Sequence, residues 1–252
     1  MVIKLIKTHV ENQVLFIHLN HGPVNALNEE VLTNIIEAIE TQGFDDHIKV
    51  IVIKGNEKCF SAGADIKSFP DLTKHERLNL ASTSAKLFRL IKTCHKPVIS
   101  SIHGVCLGGG FELALACDMR LITKDTKVGL PEINLGIFPG FGGVRRLSYM
   151  IGQHKALQIA LTGENVNLDD IQHLFNEIVE DKEELEKATE KLAYSIASKS
   201  LNSIKVIKQM SNLDLSLESD QIEERHFVDI IESENAEEGI NAFITKRKPQ
   251  FK

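Results

Sequence analysis

The run "VIVIKG" (50–55) is apolar at four consecutive positions, with no alternation between apolar and polar side chains. A strand with one wet face alternates. A strand that is apolar throughout is covered on both faces, as in a parallel sheet held between helices. "PVISSI" (97–102) reads as a second such strand, set off by Pro97 from a helical stretch over about 73–93. Upstream, "VIKLIKTH" (2–9) and "QVLFIHL" (13–19) alternate as a hairpin around "VENQ", and a helix-like stretch over 28–43 ends near Gly43. "MRLITK" and "KVGL" follow as short strands, and from about residue 140 onward the pattern is helical, with a strand only at "NEIVE". Strand–helix alternation followed by a helical tail predicts an α/β core with an α-helical C-terminal part.

After the second buried strand comes "HGVCLGGGFELALACD" (103–118), in which three glycines precede a run that is apolar on all sides except at Glu112. Gly108, Gly109 and Gly110 fall where a strand gives way to a helix, and the first amides of a helix have no intrahelical partner. Free amides and the helix dipole there would stabilise a developing anion, and glycine lets a ligand approach them closely. A purely packing role for the triplet is the competing explanation. A second loop of small residues, "CFSAGADIKSF" (59–69), follows the first buried strand, at the end of an open sheet where ligands bind. Asp65 could equally cap a helix there. The second carboxylate of interest is Glu132 in "GLPEINLGIFPGFGG", a proline- and glycine-shaped loop with Ile133, Leu135, Ile137, Phe138 and Phe141 around it. Apolar surroundings raise a carboxyl pKa and suit it to proton donation.

Several functions are disfavoured. The net charge of −6 argues against a nucleic-acid partner, which needs a basic face. No apolar run approaches a membrane span, and the N-terminal stretch lacks the apolar centre of a signal peptide, so the expected location is the cytoplasm. Cys59, Cys94, Cys106 and Cys117 have no Cys-x-x-Cys or His spacing and are expected as reduced, buried thiols, with no metal site. The glycine patterns of dinucleotide, P-loop and serine-hydrolase sites are all absent.

"ISSIHGVCLGGGFELALACDM", "FSAGADIK" and "LPEINLGIFPGFGG", at their separations in this chain, resemble the crotonase (enoyl-CoA hydratase/isomerase) superfamily, from "NHGPVNALN" to "AFITKRKPQF". With both Glu112 and Glu132 present, the likeness is nearest to short-chain enoyl-CoA hydratases. The resemblance implies a crotonase (ClpP/crotonase-like) fold of repeated ββα units over residues 1–195. It further implies a helical trimerisation region over 196–252 and a homotrimer or dimer of trimers. It implies that the amides of Ala64 and Gly109 form an oxyanion hole for an acyl-CoA thioester, and that Glu112 and Glu132 share the reacting water. By the same likeness Ala26, Leu27, Ala62, Ala64, Asp65, Ile66 and Lys67 line the coenzyme A path. Phe243 and Lys246 would reach a neighbouring subunit's coenzyme A. No separate cofactor is implied, because coenzyme A is part of the substrate. Asp118, Arg145 and Arg146 are expected to be structural, while Phe69, Leu107, Phe111 and Phe138 could touch the acyl chain. Three readings stay open at this stage: a 2-enoyl-CoA hydratase, another crotonase chemistry such as Δ3–Δ2 isomerisation or hydration of a branched or aromatic-derived enoyl-CoA, and a non-catalytic acyl-CoA-binding subunit.

Overall fold

The computed structural model describes residues 5–251. The first hairpin pairs β1 (Ile6–Glu11) with β2 (Val14–Leu19) through Asn12 and Gln13, both at positive φ, the turn geometry that matches strand twist in a two-residue hairpin. The expected first strand thus begins at Ile6; positions 2–4 lie outside the described residues. Helix α1 (Glu29–Ala38) is capped by the Asn28 side chain on the Val31 amide and passes into a wider π-turn at Ile39–Gly43. After β3 (Val50–Lys54), helix α2 (Lys74–Thr93) opens with a reciprocal capping box between Thr73 and Glu76.

Two ββα units follow. In the first, β4 (Val98–Ile102) and β5 (Val105–Leu107) lead into α3 (Gly109–Ala116). In the second, β6 (Met119–Thr123) and β7 (Lys127–Gly129) lead through a 3-10 turn at Pro131–Leu135 into α4 (Gly143–Ile151). Then come α5 (Gln153–Thr162), β8 (Asn165–Val166), β9 (Glu177–Val179) and the helices α6 (Lys182–Ala197), α7 (Leu201–Met210), α8 (Leu217–Ile231) and α9 (Glu234–Ile244). The expectation of a single strand after residue 140 is therefore corrected by β8. Helix α6 ends two residues past the boundary expected at 195/196.

The six-stranded sheet runs β1-β2-β3-β4-β6-β9, parallel from β2 onward. Alternate residues of its central strands enter two separate cores, which explains the uninterrupted apolar runs. Leu15, Ile17, Ile51, Ile53 and Ile102 pack toward α1, α2 and α3. Val14, Phe16, Val50, Val52, Ile99 and Leu121 pack against Leu185, Ala193 and Ala197 of α6. Each Val, Leu, Ile or Phe side chain among them, fully buried, contributes about 1.5–3 kcal/mol.

The second, smaller sheet runs β5-β7-β8, and it builds the site. Loop backbone extends it: Ser61 bridges Cys106, and Leu27 bridges Ala64. Leu27 N donates to Gly63 O at 2.8 Å and Asp65 N to Leu27 O at 3.0 Å, while Leu107 N donates to Ser61 O at 3.0 Å. Three loops from distant parts of the chain are thereby laid side by side. All four cysteines are buried and free, as expected. Among the described residues no His, Cys, Asp or Glu group could hold a metal, and no helix is long and apolar enough to cross a membrane.

Candidate active site

A cavity of about 510 Å³ lies between the 62–69 loop, α2, the start of α3 and the 131–141 segment. It is large enough for the reacting part of an extended ligand, within the roughly 300–1,000 Å³ of small-molecule sites. Its wall brings together Ala62, Ala64, Gly109, Glu112 and Glu132, which the sequence separates by 70 positions.

The glycines make that convergence possible. Gly108 has φ +50° and caps α3 without a side chain; a Cβ on it would stand 2.6 Å from Glu132 Oε1. Only glycine meets both conditions. A Cβ on Gly109 would lie 3.3 Å from Ala64 N, so the two backbone segments are neighbours at the cavity wall. The amides of Ala64 and Gly109 donate no hydrogen bond among the described residues, whereas Gly108 N is committed to Gly129 O and Asp65 N to Leu27 O. Two free N–H groups at a helix start, facing a largely apolar cavity, are suited to an oxygen that gains negative charge.

Glu112 lies on α3 and is 1% exposed. Its Oε1 accepts from Phe141 N at 2.9 Å and Gly143 N at 2.7 Å, and Gly143 must be glycine because a Cβ there would stand 2.5 Å from Glu112 Cγ. Both bonds fall on one oxygen, which fixes the carboxylate plane and leaves Oε2 for a ligand. Burial pushes the Glu112 pKa up to about 7, the amide of Gly143 opposes that rise, and the nearby Glu132 adds to it. Glu132 is held in the 3-10 turn, 9% exposed, with its Oε2 buried and unpartnered. Burial raises its pKa as well. Glu112 Oε1 is thus held by two amides while Glu132 Oε2 has no partner, and burial favours the protonated form of both carboxyl groups, so that the pair can hold and exchange protons near neutral pH.

Other expected residues divide clearly. Ile66, Phe69 and Phe138 line the cavity, but Asp65 and Lys67 do not, and the Asp65 side chain caps nothing. Leu27 has its side chain fully buried in the core, while its N–H donates to Gly63 O and its carbonyl accepts from Asp65 N, so it positions the 63–65 loop. Ala26 is half-buried, with its carbonyl accepting from His21 Nδ1 at 2.7 Å. Phe111 is core, and Leu107 is absent from the cavity wall. Phe243 and Lys246, at the end of α9, are exposed and outside this chain's own cavity. Asp118 is structural, accepting from Val98 N and Lys208 Nζ, both at 2.7 Å. Arg146 is structural too, donating to Phe141 O at 3.0 Å while its guanidinium lies 5.0 Å over the Phe88 ring. Arg145 faces a separate groove with Tyr149. Sequence reasoning missed the Phe141 and Gly143 amides, whose pairing with Glu112 leaves no periodic trace, and Arg77 on α2, which helical spacing could have placed with Leu80 and Ala81.

Known proteins match this chain over nearly its whole length. The family described as enoyl-CoA hydratase/isomerase matches residues 9–252. A Bacillus subtilis protein named "Probable enoyl-CoA hydratase" is 38% identical over 249 residues, 96% of each chain. A Syntrophomonas wolfei crotonyl-CoA hydratase is 35% identical over 96% of this chain and 95% of its own. The crystal structure of an enoyl-CoA hydratase from Geobacillus kaustophilus superposes with a TM-score of 0.93 at 28% identity, covering 100% of this chain and 98% of that one. A family model that spans residues 9–252, with relatives 35–38% identical over nearly their full length, shows that this chain belongs to the enoyl-CoA hydratase/isomerase family.

Proposed function

We propose that the chain is an enoyl-CoA hydratase that adds water reversibly across the 2,3 double bond of a short-chain 2-enoyl-CoA, giving a 3-hydroxyacyl-CoA. The observation that carries this reading is the presence of both buried glutamates in the cavity that also holds the two free amides. The thioester oxygen accepts from Ala64 N and Gly109 N. Glu112, its Oε1 fixed, takes a proton from the water through Oε2 as the water oxygen bonds to C3. The electron pair of the double bond moves toward the thioester, and Glu132 delivers its proton to C2. The amides stabilise the charge on the thioester oxygen more in the transition state than in the substrate, which is what accelerates the step. Proton exchange with solvent restores both carboxyl groups. The crotonyl-CoA hydratase relative supports the short-chain preference. Isomerisation needs no second carboxylate to activate water, so the burial of both favours hydration.

The same reading includes a homotrimer or a dimer of trimers. Helices α8 and α9 leave Phe227, Ile231, Phe243 and Ile244 largely exposed in the single chain, a surface that supports association with further copies. In that assembly Lys246 would pair with a phosphate of a neighbour's coenzyme A, a contact weakened by salt. Sedimentation gives the assembly size, and an active monomer would refute the assembly. Hydration itself is tested by loss of the conjugated enoyl-thioester absorbance of crotonyl-CoA. Folded protein that leaves this absorbance unchanged would refute the function.

A further inference from the structure

The active-site cavity has one cation on its wall. Among the described residues lining it, Arg77 alone is positively charged, beside the two glutamates. Arg77, Leu80, Ala81, Ser84 and Phe88 share a face of α2 by their spacing. Phe88 marks the inner end of that face, its ring centroid 6.1 Å from that of Phe141, the residue whose amide holds Glu112. Leu80 and Ala81 line the middle. Arg77 stands one helical turn beyond Ala81, about 6 Å along the axis, at the outer end.

The guanidinium is anchored but not neutralised. One nitrogen, Nη2, donates to Phe69 O at 3.1 Å. No carboxylate pairs with it among the described residues. The anchored group therefore keeps most of its N–H donors for something else, on an exposed residue at the wall of a cavity that Phe69, Leu80 and Phe138 also line. A guanidinium presents a planar fork that fits a carboxylate with two parallel hydrogen bonds. A neutral hydrocarbon chain gains nothing from it.

We infer that Arg77 is a specificity-determining residue that favours 2-enoyl-CoA substrates whose acyl chain ends in a carboxylate. This rests on the hydratase reading and adds the chemical class of the acyl tail. The oxyanion amides and the glutamates treat all 2-enoyl thioesters alike, and Arg77 discriminates by the charge at the far end. A phosphate of coenzyme A could satisfy the same fork, but it would do so equally for every acyl chain.

The test compares two six-carbon substrates, 2-hexenoyl-CoA and the 2-enoyl-CoA with a carboxylate in place of the terminal methyl group. The readout is the ratio of their kcat/KM values in wild type, Arg77→Met and Arg77→Lys. Met and Lys are both good helix formers, so α2 is preserved. Arg77→Met should lower the ratio, carboxylate over methyl, by about five- to tenfold, the scale of a partly exposed charged hydrogen bond. Arg77→Lys should recover part of it, and added salt should lower the wild-type ratio. An unchanged ratio, with both substrates losing equally, would assign Arg77 to a coenzyme A phosphate or to holding the Phe69 turn and would overturn the inference. Wild-type hydration of hexenoyl-CoA without the carboxylate substrate would overturn it alone. Hydration of crotonyl-CoA but of neither six-carbon substrate would overturn this inference alone, and hydration of none of the three would overturn the hydratase reading and this inference with it.

Discussion

Gly109→Ala adds a single methyl group at the point where the two free amides meet. Built on the existing backbone, its Cβ stands 3.3 Å from Ala64 N and 3.0 and 3.1 Å from two carbons of the Phe141 ring. A thioester oxygen accepting from Ala64 N needs a distance of about 2.9 Å, so the methyl competes with it for the same space. Loss of one oxyanion donor costs about 2.7–4 kcal/mol, or 10²–10³ in turnover. The fold should tolerate the change. Gly109 opens α3 at an ordinary φ, and alanine gains about 1 kcal/mol over glycine in a helix, which offsets a shift of a few tenths of an ångström by Phe141. Gly110→Ala is the matched contrast, because its Cβ would meet the Ser61 carbonyl oxygen at 2.5 Å and the Ser61 Cβ at 2.8 Å, where a neighbouring strand must move. Steady-state hydration of crotonyl-CoA and thermal unfolding, measured on both variants, separate the two effects. Gly109→Ala should keep its Tm and lose turnover, and Gly110→Ala should lose Tm by an overpacking cost of about 1–3 kcal/mol. A Gly109→Ala protein with full activity would refute the amide assignment.

Glu112 also predicts a pH dependence of stability. Its pKa rises on folding from 4.5 to about 7 through burial, so between those values the unfolded chain loses a proton that the native chain keeps. Native stability therefore falls as pH rises through that window, by a total on the order of 3 kcal/mol. Glu112→Gln cannot ionise, so its stability relative to wild type should improve between pH 4.5 and 7 and level off above; denaturant midpoints that differ by a constant would contradict this. Lys208 ties α7 to the core: its buried Nζ donates to Ile91 O, Lys96 O and Asp118 Oδ2 at 2.7, 2.9 and 2.7 Å. Lys208→Met should cost about 3 kcal/mol in denaturant unfolding, because it strands a partly buried carboxylate and two carbonyls. Lys246→Ala should raise KM for crotonyl-CoA several-fold without affecting a pantetheine thioester; equal effects on both would rule out the phosphate contact.

The centre of the sheet was legible in the sequence because β3 and β4 are buried on both faces. The alternating side chains of β2 and β3 feed two cores, and that leaves an unbroken apolar run. Strands β5 and β8, of three and two residues, are too short to show any period, and they exist through pairing with β7. Glu112 stood out as a lone carboxylate in an apolar helix. Its stabilising amides lie 29 and 31 residues downstream and become partners only when α4 closes on α3. The backbone pairing of Leu27 with the 63–65 loop left no trace in the sequence for a related reason, since its partners lie more than 35 residues downstream. Arg77 carried a helical spacing signal, but its significance depends on which wall of the fold α2 supplies.

Hydration of crotonyl-CoA by Glu112→Gln, Glu132→Gln and the double variant bears most directly on the paired carboxylates. Glutamine keeps the shape of each side chain and cannot exchange a proton. Each single variant should still bind substrate while kcat falls by about 10²–10⁴, the range for a general acid or base. The double variant should lose less than the product of the two losses, because both groups act through one water. Near-normal hydration by either single variant would contradict the account.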